Sequence, residues 1–190
     1  MGVMRFLWRK SSSVLPQVVR DAVTERGERV LAWAGEKYAG AFIVATTARL
    51  VVVDAQGEVV DVGRWGEVDS AVWEPGTATL SVAWVDGRRG SQWTAVGSAT
   101  RLAESVHERV SRSVVVAVDL ERDGVRIGRA AIRRDPQTQE LFAQLVWARG
   151  QRPRDEERAA YGEAVLVNLC EQVGLPESVG RAASKAGMGS

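Results

Sequence analysis

The chain predicts an α+β protein. A seven-stranded barrel capped by a helix is followed by a three-stranded antiparallel sheet with its own helix, and an extra amphipathic helix precedes the barrel. Three observations predict this. From Arg29 to Ala95 apolar residues recur with the period of strands, cut every few residues by Gly, Pro and Asp turn signals. Around 99–112 and 156–173 the period lengthens to that of a helix. Between those two helices the strand period returns.

Residues 14–26 place Leu15, Val18, Val19, Ala22 and Val23 on one helical face, with Ser13 as N-cap, Pro16 in the first turn and Gly27 as the stop. The polar face mixes Asp21 and Glu25 with Arg20 and Arg26, which suits packing on the barrel better than membrane contact. Strands follow at 30–35, 40–46, 49–54, 58–63, 68–73, 79–85 and 91–95. Alternation is clearest in the sixth, where Leu80, Val82 and Trp84 face one way and Thr79, Ser81 and Ala83 the other, as a half-buried strand requires. In 99–112, Leu102, Val106 and Val110 recur every fourth residue beside Ala99 and Ala103. A curled sheet leaves open ends, and a helix with one apolar stripe is a natural plug for one of them.

Further strands at 114–120 and 125–133 are joined by a turn at Arg122-Asp123-Gly124, and a third at 140–148 follows Asp135-Pro136. The loop 149–154 leads to a helix over 156–173. Asp155 is its N-cap, Glu156 and Glu157 suit the positive end of its dipole, and Gly174-Leu175-Pro176 ends it. Leu166, Leu169, Cys170 and Val173 form its buried stripe. The tail from 177 has little to pack and is expected to be loose. The chain thus divides into a leader and helix (1–27), a barrel (28–113), a small α+β subdomain (114–176) and a flexible tail (177–190).

Twenty-five basic against 24 acidic residues leave a formal net charge of +1, without the basic excess of a dedicated nucleic-acid binder. All but three of the basic residues are arginines, which pair bidentately with carboxylates and phosphates, but an arginine-heavy codon usage is the better explanation of the bias. A single cysteine, Cys170, forms no intrachain disulfide and fits a reducing cytoplasm. The apolar piece Phe6-Leu7-Trp8 is shorter than a signal-peptide core of roughly 7–15 residues. No run approaches the roughly 20 apolar residues of a membrane span.

Candidate chemistry is sparse, and no catalytic, metal or cofactor residue is assigned. His107 has Glu104 and Ser111 at helical spacing, but real triads join distant segments around a pocket. Asp119, Glu121, Asp123 and Gly124 match the first half of a calcium loop, with Ala130 where the bidentate Glu is needed, so an acidic hairpin turn explains them better. Cys170 reads as a small buried hydrophobe. Trp33, Trp73, Trp84, Trp93 and Trp147 read first as core filling, and secondarily as the lining of an apolar groove for a peptide. The leader is more suggestive. Arg5, Arg9 and Lys10 surround Phe6 and Trp8 without an acid, a mixture that favours an anionic membrane surface or an acidic partner.

The local wording adds a resemblance. FIVATTARLVVVD (Phe42 to Asp54), with its tight Thr-Thr-Ala-Arg turn, and VGRWGEVDSAVW (Val62 to Trp73) resemble strands of bacterial pleckstrin-homology-like (PH-like) domains. The whole chain is similar to bacterial proteins that pair such a barrel with a strand-rich C-terminal part. The resemblance covers 28–113 and implies a module that binds lipid headgroups, peptides or proteins. Members that bind phosphoinositides place several basic residues in the first hairpin loop. Here Glu36 offsets Lys37 in that loop, and Arg88 and Arg89, with Asp86 nearby, form an alternative pair. Lys37, Arg88 and Arg89 are therefore the anion-contact candidates. The expected function is a non-catalytic cytoplasmic adaptor working through protein–protein contacts. The alternatives are a peripheral membrane protein docking through residues 1–10 and an enzyme of unrecognised class with a pocket between the subdomains.

Overall fold

The computed structural model describes residues 14–25, 27–151, 153 and 156–189, with side chains as far as Lys185. A short helix, α1 (Gln17–Val23), precedes seven strands: β1 (Val30–Glu36), β2 (Phe42–Thr46), β3 (Arg49–Val53), β4 (Val59–Arg64), β5 (Val68–Glu74), β6 (Thr79–Trp84) and β7 (Ser91–Val96). Then come α2 (Ala99–Ser113), β8 (Val114–Arg122), β9 (Val125–Arg134), β10 (Leu141–Trp147), α3 (Glu156–Gln172) and α4 (Glu177–Gly189). Each predicted strand forms close to its expected bounds.

The first seven strands make one antiparallel sheet in the order β4-β3-β2-β1-β7-β6-β5. It does not close into the expected barrel, because its edges β4 and β5 share no ladder. Side chains from the β6–β7 end of the sheet reach β4 instead. Ser91 Oγ donates to Asp61 Oδ2 at 2.7 Å, and the Arg88 guanidinium donates to the Val62 carbonyl at 3.0 Å. The Trp84 ring is wedged against Gly63, where a Cβ would lie 2.0 Å from it. An indole in that position holds β4 further away than the roughly 4.8 Å spacing of paired strands.

Inside the folded-over sheet, Ile43, Leu50, Trp65, Leu80 and Val82 pack with Leu102 and Val106 of α2, so the helix plugs the sheet as its stripe predicts. Trp65 is fully buried and donates its indole N–H to the Thr46 carbonyl. On the outer face, Leu15, Val19 and Val23 cover Val44, Val51 and Val53. Helix α1 is shorter than expected, because Pro16 is extended (ψ 142°) and Thr24 leaves helical geometry. Pro16 is therefore its N-cap rather than a first-turn residue, and Val18 faces outward beside Gly57 rather than joining the buried stripe. Ser13, Arg26 and Asp155, expected at helix ends, lie outside the described residues.

The second sheet has the order β10-β9-β8. Its hairpin turns through Asp123 (φ 53°) and Gly124 (φ 74°), the left-handed pair of a tight two-residue loop. One face packs Leu120, Ile132, Leu145 and Trp147 against α3, where Leu166, Leu169 and Cys170 are buried as expected. From the other face Arg133 and Gln144 reach the carbonyls of Val68, Asp69 and Gly66 at the entry to β5.

The tail from 177 is not loose but helical and packed. After the predicted stop at Gly174 (φ 74°), Pro176 opens α4, and Val179 N–H bonds the Pro176 carbonyl. A Cβ on Gly180 would stand 3.2 Å from both Cys170 Sγ and the Val167 backbone, and Ser184 is buried. Small residues let this helix approach closely, so its packing rests on proximity rather than on large side chains.

Candidate functional site

A cleft of about 1150 Å³ opens between the two sheets, a volume suited to a ligand or a peptide segment. One wall is the turn between β6 and β7, with Arg88 and Arg89, together with Gly66, Glu67 and Asp69 from the chain entering β5. The other is the continuous run from Ala143 to Gly150. Side chains alternate across a strand, so both parities line a cavity only where the strand presents its edge.

That edge is unpaired. Asp135 N–H bonds the Glu140 carbonyl and Ala148 N–H bonds the Ile127 carbonyl, both at 2.9 Å, so even-numbered residues of β10 point their main-chain groups at β9. The N–H and C=O groups of Ala143, Leu145 and Trp147 therefore face away from β9. None has a backbone partner on that side among the described residues.

The walls are held at fixed separation by buried polar contacts. Arg133 on β9, fully buried, donates to the carbonyls of Val68 (2.7 Å) and Asp69 (3.1 Å) and to Ser113 Oγ. Its burial pulls the guanidinium pKa below the ordinary value, opposed by the nearby Asp69 charge. Gln144 Nε2 donates to the Gly66 carbonyl at 2.8 Å, and the Phe142 ring lies so close to Gly66 that a Cβ there would approach it to 2.9 Å. Three buried side-chain atoms on cleft-lining residues, Asp69 Oδ1, Gln144 Oε1 and Trp147 Nε1, have no hydrogen-bond partner. A buried unpaired polar atom costs about 1–3 kcal/mol.

No protein-family model matches the chain, and no curated protein is significantly similar to it. The site is therefore read from its own chemistry.

Of the three anion candidates, the structure brings two to the cleft. Arg88 stacks over the Trp84 ring (3.9 Å to the centroid) and is shared by Asp61 and Asp86, so its charge is largely answered. Arg89 is exposed and has no ion pair among the described residues. Lys37 lies apart, in the β1–β2 loop near the Tyr38 ring, and lines no part of the cleft. Glu36 does not offset it as expected. The carboxylate turns inward, 5% exposed, and accepts the N–H groups of Tyr38 and Ala39, fixing the loop. Sequence reading missed Arg126 and Arg149 at the cleft mouth; Arg149 is exposed and has no ion pair among the described residues. It also missed Arg133, whose only signal was a charge following the apolar run Ala130-Ala131-Ile132.

His107 lies on the exposed face of α2, as do Glu104 and Ser111. Asp119 is an arginine clasp: a hydrogen bond from Arg129 at 2.9 Å, helped by the charges of Arg129 and Arg126, holds its carboxyl below the usual range. Among the described residues no group of three or more His, Cys, Asp or Glu could hold a metal ion. Burial raises the Cys170 thiol pKa. Trp84 and Trp147 line the cleft, while Trp33 packs on Phe42 outside the sheet. Arg5, Phe6, Trp8, Arg9 and Lys10 lie outside the described residues. No helix among the described residues is long and apolar enough to cross a membrane.

Proposed function

We propose that the protein is a non-catalytic, cytoplasmic binding module of the PH-like kind, acting through protein–protein contacts at the cleft between its two sheets. The observation that carries this reading is the cleft's construction. Its walls are a free main-chain edge and a loop of guanidiniums, locked together by Arg133 and Gln144, so the receptor is formed before a partner arrives. Preorganisation of that kind lowers the entropy lost on binding. The PH-like assignment is supported by the strand order β4-β3-β2-β1-β7-β6-β5, with α2 following β7 into the sheet's interior.

The test is affinity purification of the tagged full chain from native cytoplasm, with bound proteins and lipids both identified. A stoichiometric protein, lost when Arg89→Glu and Arg149→Glu are combined, is expected. Anionic lipid without a protein would overturn the reading in favour of membrane docking.

A further inference from the structure

We propose that the cleft takes an extended, acidic peptide segment of a partner protein, which adds to β10 as the fourth strand of the small sheet. This rests on the protein-contact reading above and specifies its partner.

The four sheet edges are treated very differently. Free edges invite pairing with other chains, and proteins blunt them with charges, bulges or cover. β4 carries Asp61 and Arg64 and meets β3 across a register shift. β5 carries Asp69 and Glu74 and a register shift, and Arg133 occupies two of its carbonyls. β8 carries Asp119, Glu121 and Arg122 and two shifts. β10 lacks the charges and shifts: its seven residues, Leu-Phe-Ala-Gln-Leu-Val-Trp, include no charge and no proline, and its ladder to β9 is regular; α4 packs against the strand, yet Ala143, Leu145 and Trp147 still line the cleft.

This edge faces a bounded cleft rather than open solvent. The β6–β7 wall stands across a cleft of about 1150 Å³, a space on the scale of one extended segment, and its exposed guanidiniums favour an acidic segment as occupant. An added strand would pair its main chain with Ala143, Leu145 and Trp147, the mode by which edge strands capture extended peptides. Its side chains would alternate. One set faces α4, where Ala183 lines the cleft. The other faces Arg89 and Arg149, which make no ion pair among the described residues, whereas the cleft's acids are engaged elsewhere, Asp86 with Arg88, Glu67 with the Arg64 N–H and Asp69 beside Arg133; there carboxylates fit.

The experiment selects phage-displayed random dodecapeptides on the full-length protein and measures the enriched peptides by fluorescence polarisation. Enriched peptides are expected to carry Asp or Glu at alternate positions. Binding should weaken about tenfold or more with Arg89→Glu or Arg149→Glu, and with Ala143→Pro, which removes one outward N–H while keeping the β9 ladder. Should Ala143→Pro fail to fold, N-methylation of alternate peptide amides reads the same ladder on the native protein, and loss of binding is again expected. Peptides that lack the acidic alternation, or that ignore both Ala143→Pro and N-methylation, overturn strand addition and leave the protein-contact reading standing. A dimer in light scattering that Ala143→Pro converts to monomer assigns the edge to a second copy and also overturns it. Failure to enrich any peptide overturns it as well. If phosphatidylglycerol vesicles then co-sediment with the protein, the protein-contact reading falls with it.

Discussion

Asp119 shows how little of a residue's role its type reveals. In sequence it opens a run of acids that imitates half a calcium loop; in the fold it faces two arginines across the β8–β9 hairpin, Arg126 at 3.1 Å and Arg129 at 2.9 Å. Its folded pKa is depressed, so its stabilising effect is complete above the ordinary carboxyl pKa of about 4 and disappears as pH falls through the lower folded value. Asp119→Asn should therefore be less stable than the parent at neutral pH, and the two should converge as the pH drops from about 4 toward 2. Urea midpoints across that range test this, and parallel curves would refute it. The side chain is partly exposed, so the difference will be modest and will shrink in salt.

Among the elements, the strands were legible because period two leaves a plain trace: Leu80, Val82 and Trp84 are all buried and Ala83 is exposed. Helix α2 was legible for the same reason at a longer period, as Leu102 and Val106 show. Helix α4 was not. Its contact face is made of Gly180, Ala183 and Ser184, which carry almost no hydrophobic signal and matter only because α3 lies within van der Waals reach. Gly180→Val should force the two helices apart, destabilising the protein by about 1–3 kcal/mol. It should also open Cys170, whose buried thiol in the parent resists a disulfide reagent until the protein unfolds. Labelling kinetics at pH 8 decide it: equal slow rates in parent and variant would mean that α4 is not what shields the sulfur.

For the whole molecule, the cleft was beyond the sequence's reach because it is assembled from segments near 66–69, 83–90 and 143–150, and no local pattern encodes which edge faces which. Arg88 and Arg89 could be nominated as a pair of like charges in a turn; nothing marked Arg149 as their neighbour. The same holds for Arg133, which makes the two sheets one body by reaching from β9 into β5. Arg133→Met keeps the stem and removes the donors, leaving two carbonyls without partners. It should lower stability by about 2–3 kcal/mol, and Arg133→Lys should restore little, since an ammonium cannot span both carbonyls as the planar fork does. Urea unfolding followed by tryptophan fluorescence and far-ultraviolet circular dichroism should give one coincident transition for the parent and separated transitions for Arg133→Met. Coincident curves at an unchanged midpoint would show that the sheets are joined by other means.

The Arg133 fork also sets a schedule for synthesis. The residue that covers β5's edge is made about sixty residues after β5 itself, and a ribosome adding about 5–20 residues per second leaves that edge bare for several seconds. During that interval the nascent sheet offers its main chain to any neighbour. The emerging β9 is then both structural partner and cover, and a pause in translation before Arg133 lengthens the exposure in proportion.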